Sequence, residues 1–363
     1  MDYTQKLQYH YQTAKGWVND PNGLVYFQGW YHVFYQHAPD YELPWKQPMH
    51  WGHARTQDFL HWEELPVALY PDQPYDRNGC WSGTAIVKDD TLYLFYASIL
   101  DAEHKTQTVS VAYSTDGIHF EKYAGNPVIP HFPADGGPDF RDPAVTCING
   151  VYYCVMASGN PEKQTANLLL YRSENLLDWR YCGIMSEWEN CRYAECPSIL
   201  PAGDQVLLTA SVCRKGYHWF SVLYGSFKDG KFTPTTVAEI DKGPDQYAGQ
   251  VFQDHKGRNL LISWIPGWKY MGWAECDVGC MSVPRELTCK DGKIRGYPVA
   301  ELQHLLKDSD PALTRTEHGF TVARTDREPL VYEGELRDLK ILRDGYIMEL
   351  FVNGGEEIYT VLL

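Results

Sequence analysis

The chain has 363 residues, 44% hydrophobic and 22% charged, which excludes a disordered or fibrous chain and leaves room for two domains or one large one. Lys and Arg number 32 against 47 Asp and Glu, and the resulting charge of −15 repels phosphate backbones and anionic lipid, so neither nucleic acid nor a membrane is expected as a partner. No apolar run approaches the ~18 residues that span a bilayer, and the opening MDYTQKLQYHYQ lacks a signal-peptide stretch, so the sequence reads as soluble and cytoplasmic.

Helical periodicity is scarce, and short β-branched and aromatic runs punctuated by Gly, Asp and Asn recur along most of the chain, which predicts an all-β fold. The runs fall into a repeating order. A strand pair from 24 to 37, split at Gln28-Gly29, is followed by a pair from 54 to 69 turning near Asp58. The order returns at 83 to 98 with 109 to 120, at 144 to 157 with 168 to 179, at 198 to 211 with 219 to 232, and at 250 to 264 with 281 to 294. Four strands per unit at a period of ~50 residues predict a propeller, because no blade can bury its faces without neighbours. Five units predict five blades over residues 1–300, with a plain β-sandwich as the competing reading. From 301 to 363 the chain is polar until a last hairpin-like stretch from Asp344 to Leu363, so a shortened C-terminal β module is expected. Its apolar residues need a partner surface, either the outer propeller face or a second copy of the chain, which would make a homo-oligomer.

Aromatic residues are the compositional outlier, with 12 Trp, 26 Tyr and 13 Phe. They favour strands and they stack on sugar rings. The ten cysteines show no CxxC and no Cys/His cluster of zinc spacing, and read as reduced buried thiols. No Asn-x-Ser/Thr sequon occurs, which agrees with a cytoplasmic setting of bacterial type.

Three polar segments lead into repeats in the same relative place: Trp17 to Gly23 (WVNDPNG) into the first, Phe140-Arg141-Asp142-Pro143 into the third, and Glu195-Cys196-Pro197 into the fourth. The first strand of a propeller blade is the innermost. Residues just ahead of it sit at the mouth of the central channel, so Asp20, Asp142 and Glu195 are expected to converge there. One such Asp alone is an ordinary turn residue; recurrence in three repeats points to chemistry. Carboxylates crowded at one funnel suit glycosidic bond cleavage, in which one stays ionised and another stays protonated to serve the leaving oxygen.

These segments, with Phe34-Tyr35-Gln36, Trp51-Gly52-His53-Ala54, Tyr75-Asp76, Trp81-Ser82-Gly83-Thr84 and Pro284-Arg285-Glu286-Leu287-Thr288, stand in an order that resembles glycoside hydrolase family 32, the invertases, sucrose-6-phosphate hydrolases, inulinases and levanases. The resemblance implies a five-bladed propeller followed by a β-sandwich, and retaining cleavage of β-fructofuranosides without metal or organic cofactor. It makes Asp20 the nucleophile, Glu195 the general acid/base and Asp142 a transition-state stabiliser beside Arg141. It places Asn19, Gln36, Trp45, Trp81, Ser82 and Arg141 around the fructosyl unit, where amides exchange hydrogen bonds with hydroxyls and indoles cover the apolar ring face. Tyr247, Gln250 and Trp264 could reach the funnel from the fifth repeat or serve the core. Cys196 could exclude water beside Glu195 or be merely small and buried, and Lys46 or Arg77 could hold a phosphate or be solvated surface. Three departures stand out. Asp139 takes a place where a His is expected, Ser198 follows Glu-Cys-Pro where Asp is common, and the tail is about half the length of a family sandwich. Two other functions fit the fold, an inverting arabinan- or xylan-type glycosidase and a non-catalytic carbohydrate-binding propeller.

Overall fold

The computed structural model describes residues 6–41, 46–160, 164–214, 217–265, 279–325 and 327–363. Blade one is built from β1 (Trp17–Phe27), β2 (Trp30–Ala38), β3 (His50–Thr56) and β4 (Trp62–Leu69). Blade two contains β5 (Cys80–Lys88), β6 (Thr91–Ile99), β7 (Gln107–Ser114) and β8 (Glu121–Lys122), and blade three β9 (Asp139–Ile148), β10 (Val151–Asn160), β11 (Thr165–Ser173) and β12 (Arg180–Glu189). Blade four holds β13 (Tyr193–Ala202), β14 (Gln205–Arg214), β15 (Tyr217–Lys228) and β16 (Lys231–Glu239). Blade five holds β17 (Tyr247–Gln253), β18 (Asn259–Ile265), β19 (Cys280–Met281), β20 (Arg285–Lys290) and β21 (Lys293–Pro298).

Each sheet runs antiparallel in chain order, with β19 beside β18 off the main path of blade five. Two-residue hairpins join many of the strands. Asn149-Gly150 and Asp229-Gly230 hold both residues at positive φ, the mirror-image turn whose twist matches the flanking strands. Longer turns between third and fourth strands repeat one device. Thr56, Ser114 and Ser173 accept a backbone N–H three residues on, and Asp58, Asp116 and Asn175 accept two more, so polar side chains replace the missing ladder.

The innermost strands β1, β5, β9, β13 and β17 touch in that cyclic order, and β17 returns to β1, which closes the five blades into a propeller. Apolar clusters fill the clefts between blades one and two, two and three, and three and four. The largest one joins blades four, five and one with the C-terminal residues Leu342, Phe351 and Ile358.

After a 3-10 turn at Ala300–Leu305 the chain forms two more sheets. One consists of β22 (Leu313–Thr316), β23 (Gly319–Val322) and β24 (Leu330–Glu333), the other of β25 (Leu339–Asp344), β26 (Ile347–Val352) and β27 (Glu357–Leu362). Phe320, Val322 and Tyr332 of the first pack on Ile341, Met348, Leu350 and Val361 of the second, so the tail is a reduced β-sandwich of two three-stranded sheets. The sequence marks only its final hairpin, because β22 and β24 are four-residue strands with little burial. The sandwich finds its partner surface within the chain. The N–H of Ile358 donates to Ile240 O at 2.7 Å, and that of Lys242 to Ile358 O at 2.8 Å. Of the nine described cysteines, Cys147 and Cys182 are exposed, contrary to the expectation of uniformly buried thiols.

A buried ionic cluster locks this junction. Arg285, fully buried on β20, donates to Asp241 Oδ2 (2.6 Å), Glu349 Oε2 (3.1 Å) and Thr360 Oγ1 (2.6 Å). The leading segment enters the same cluster. His10 lies between Asp344 Oδ2 (2.9 Å) and Glu349 Oε1 (3.1 Å), and Asp344 also accepts the N–H groups of Gln8, Tyr9 and His10. Tyr11 then ties the segment to the ring, its OH 2.9 Å from that of Tyr35 and its carbonyl 3.0 Å from the N–H of Met281. Burial works against a charged His10, but hydrogen bonds and charge from Asp344 and Glu349 outweigh it and raise its pKa from 6.5 to about 9.

A pKa raised in the folded state gives stability that is complete below about 6.5 and lost as pH rises through about 9. The melting temperature should therefore fall between pH 7 and pH 10, following a loss of roughly 3 kcal/mol. His10→Gln should start lower and show a flatter profile; parallel profiles for the two proteins would refute a charged His10.

Candidate active site

Each inner strand carries a register shift at the same height of the propeller. Asn19 and Asp20 oppose one β2 residue, Ser82 is extra in β5, and Asp142-Pro143, Cys196-Pro197 and Ala248-Gly249 each oppose a single partner. A bulge re-aims side chains and frees ladder groups, and it is one of the few strand sites where Pro fits. Asp142, Cys196 and Ala248 take φ of 57°, 48° and 53°, left-handed conformations that cost energy for non-glycine residues and cluster at functional sites.

The acidic segments thus lie within the first strands, not ahead of them as the sequence reading has it, because pairing resumes on both sides of each bulge. Nor are the three carboxylates in equivalent places. Asp20, Ser82, Asp142 and Cys196 occupy the bulges, whereas Glu195 stands one residue earlier, where blades two, three and five carry Trp81, Arg141 and Tyr247.

A cavity of about 370 Å³ opens above the bulges, lined by Asn19, Asp20, Gln36, Trp81, Ser82, Glu103, His104, Gln107, Asp139, Arg141, Asp142, Glu195 and Tyr247. Asp20 Oδ2 accepts the Ser82 hydroxyl (2.8 Å) and the Cys196 thiol (3.4 Å), and Oδ1 accepts the Asn19 amide (3.1 Å). Asn19 is in turn fixed by the Trp17 indole N–H at 2.7 Å. Asp142 Oδ2 accepts the N–H of Cys196 at 2.8 Å. Cys196 therefore bridges Asp20 through its thiol and Asp142 through its backbone, next to Glu195. Glu195 has both oxygens engaged, one by Arg141 Nη2 at 2.7 Å and the other by the Tyr247 hydroxyl. Arg141 also pairs with Asp139 at 3.1 Å.

Burial lifts the Asp20 carboxyl above its ordinary range and the charge of Glu195 adds to the lift, against the hydrogen bonds of Ser82, Asn19 and Cys196. Burial pushes Asp142 from 3.8 to about 7, with Arg141 pulling it down and Glu195 and Asp20 pushing it up. Burial and the three surrounding carboxylates keep the Cys196 thiol protonated, its pKa well above the ordinary value, so it serves as a hydrogen-bond donor and not as a nucleophile. Among the described residues no group of three or more His, Cys, Asp or Glu side chains is arranged to hold a metal ion.

Of the residues singled out in the sequence, Asn19, Asp20, Gln36, Trp81, Ser82, Arg141, Asp142 and Glu195 all line the cavity, and Tyr247 joins them. Gln36 reaches it while donating to Cys80 O at 3.0 Å. Trp45 lies outside the described residues. Gln250 is buried and donates to Gly83 O (2.7 Å), and Trp264 packs edge-on against Trp17 in the core. Arg77 donates to Leu100 O, and neither it nor Lys46 lines the cavity. Sequence reasoning missed Glu103, His104 and Gln107, which sit at the β6–β7 connection in a short polar stretch with no distinguishing pattern.

Fold and site together define a class, the five-bladed propellers with an acidic funnel at the central mouth. Within that class the chain belongs to glycosyl hydrolases family 32, whose N-terminal domain model matches residues 10–298. It is 37% identical over 350 residues to a sucrose-6-phosphate hydrolase of Zymomonas mobilis, covering 86% of this chain and 66% of that protein, and 32% identical over 336 residues to a raffinose invertase of Escherichia coli, covering 86% and 68%. The chain spans about two thirds of the length of these curated relatives. A solved GH32 beta-fructofuranosidase of Bombyx mori superposes with a TM-score of 0.84 at 27% identity, over 99% of this chain and 89% of that one, and a variant of it is known in complex with sucrose.

Two outcomes follow from the electrostatics. Ser82→Ala removes a hydrogen bond that favours ionised Asp20, so the acid limb of any Asp20-dependent activity should move to higher pH, with kcat/KM falling about tenfold. Asp142 has a folded pKa raised from 3.8 to about 7, so its contribution to stability is complete below about 3.8 and lost as pH rises through about 7. Asp142→Asn, a neutral isostere, should therefore raise the melting temperature at pH 8 and not at pH 4; an equal shift at both would contradict the assignment.

Proposed function

We propose that the protein is a retaining β-fructofuranosidase acting on small fructosides, with Asp20 as nucleophile, Glu195 as general acid/base and Asp142 as stabiliser of the fructosyl unit. The observation that carries the reading is the meeting of Asp20, Asp142 and Glu195 around Cys196 at one cavity, on strands of blades one, three and four. Family membership and the sucrose complex of the Bombyx mori relative support the substrate class.

Asp20 is held by two short contacts on one oxygen and one on the other, which fixes its approach to the anomeric carbon. Attack there breaks the bond to the leaving oxygen, Glu195 supplies that oxygen with a proton, and a fructosyl ester forms on Asp20. Glu195 then takes a proton from water, whose oxygen attacks the same carbon and releases Asp20. Two displacements at one carbon retain configuration. Arg141 and Tyr247 fix the plane of the Glu195 carboxyl. Asp142, anchored by the N–H of Cys196, keeps its other oxygen for fructosyl hydroxyls.

Asp20→Ala and Glu195→Ala should each lower kcat by about three orders of magnitude or more with the fold intact. Azide should restore turnover in Glu195→Ala on a substrate with a good leaving group by intercepting the ester on Asp20, giving a fructosyl azide of retained configuration, whereas any azide product of Asp20→Ala arises from one displacement and is inverted. Failure to trap a fructosyl ester on Asp20 in the Glu195 variant, or an inverted first product, would overturn the roles.

A further inference from the structure

The cavity lining is strongly anionic. Asp20, Glu103, Asp139, Asp142 and Glu195 face a single guanidinium among the described residues, that of Arg141, which is already paired with both Glu195 and Asp139. With Asp142 protonated and Glu195 carrying the proton it is to donate, Asp20, Glu103 and Asp139 still oppose one guanidinium. The other basic ring on the lining, His104, lies edge-on to Trp81 with centroids 5.0 Å apart.

Depth decides which half of a substrate meets which charges. The Asp20 bulge lies on an inner strand, whereas Glu103 is exposed at the cavity mouth, so a leaving group extending outward from the anomeric carbon passes Glu103 and Asp139. Glu103 belongs to a fixed loop. Asp101 accepts the N–H groups of Lys105 (3.0 Å) and Thr106 (2.6 Å). Gln107 donates to His104 O (2.8 Å) and accepts the N–H of Phe140 (3.1 Å), which moors the loop to β9 beside Arg141. The exposed Lys105 of the same loop does not line the cavity. A phosphate dianion on the leaving sugar would enter this field without a free described cation to receive it, and like charges in a cleft with low-dielectric walls repel more strongly than in bulk water.

We propose that the site selects an uncharged leaving group over a sugar phosphate, with Glu103 as the specificity-determining residue, an inference that rests on the β-fructofuranosidase reading above. It separates this chain from what the name of its Zymomonas mobilis relative implies for that protein.

The test is steady-state hydrolysis of sucrose and of sucrose 6-phosphate by the full chain at about 10 mM and about 200 mM ionic strength. Screening lengths fall from ~30 Å to less than ~10 Å across that range. The expected result is a kcat/KM at least tenfold higher for sucrose at low salt. The gap should narrow with salt through the KM of the phosphorylated sugar, and Glu103→Lys should lower that KM several-fold more than it lowers the KM for sucrose. Equal or better use of sucrose 6-phosphate at low salt, or a gap indifferent to both salt and Glu103→Lys, overturns the inference while leaving the fructosidase reading intact. Cleavage of neither sugar overturns that reading and this inference with it.

Discussion

A ring of five sheets, each made from consecutive strands, has to be closed where blade five meets blade one, and no strand is shared across that seam. The packing of β17 on β1 is reinforced there by the segment from Leu7 to Thr13. Its His10 enters the acids of the C-terminal sheet, and Tyr11 reaches both Tyr35 of blade one and Met281 of blade five. Arg285 completes the junction from blade five. Removing one partner from such a fully buried ion cluster costs about 3–5 kcal/mol, a large share of ordinary domain stability. The C-terminal sandwich therefore belongs to the energetics of the propeller although it contributes no described residue to the cavity.

Closure matters to the site because the site is assembled from strands of all five blades. Asp20, Trp81 with Ser82, Asp142, Glu195 and Tyr247 come from β1, β5, β9, β13 and β17. Their separation in space is set only by the radius of the ring and the common height of the bulges. A seam that opened by about 1 Å would shift Tyr247 of blade five relative to Asp20 of blade one, and in an active site misplacement on that scale costs about a hundredfold in rate. The offset between bulge and carboxylate gives the acids two kinds of surroundings. Two acids occupy bulge positions and share Cys196 as a donor, while the third stands one residue earlier with Arg141 and Tyr247 on its oxygens.

Much of this was legible in the residues. Alternating aromatic runs and turn dipeptides such as Asn149-Gly150 reveal the blades, since local chemistry there agrees with the pairing. The beginnings of the inner strands were not legible. Asp20-Pro21 and Asp142-Pro143 read as turns, and only tertiary pairing on both sides of the bulge makes them strand. The first sandwich sheet was hidden for a different reason. Its strands bury one face of four residues, too few for period-two alternation to stand out from a polar tail. Glu103 and His104 escaped notice because their position depends on how a loop is moored by Asp101 and Gln107, a geometry that leaves no pattern in the sequence.

The junction and the site represent opposite electrostatic arrangements within one scaffold. At the junction the three carboxylates of Asp241, Asp344 and Glu349 share two cations, Arg285 and His10, and backbone N–H groups complete their hydrogen bonds. At the cavity five carboxylates crowd one arginine, and burial disfavours the charged forms of Asp20 and Asp142. Such crowding persists only where the surrounding structure over-determines it, and the bulged strands of a closed ring do so. The two regions nonetheless respond to protons with one sign. Releasing a proton from His10 leaves Asp344 and Glu349 facing a neutral ring, and releasing one from Asp142 adds an anion beside Glu195 and Asp20. Each step disfavours the fold, so rising pH works against the lock and against the crowded site together. The proposed role of Asp20, which needs its ionised form, therefore draws activity toward higher pH than the fold prefers, and the buried junction supplies the margin of stability within which both can be met.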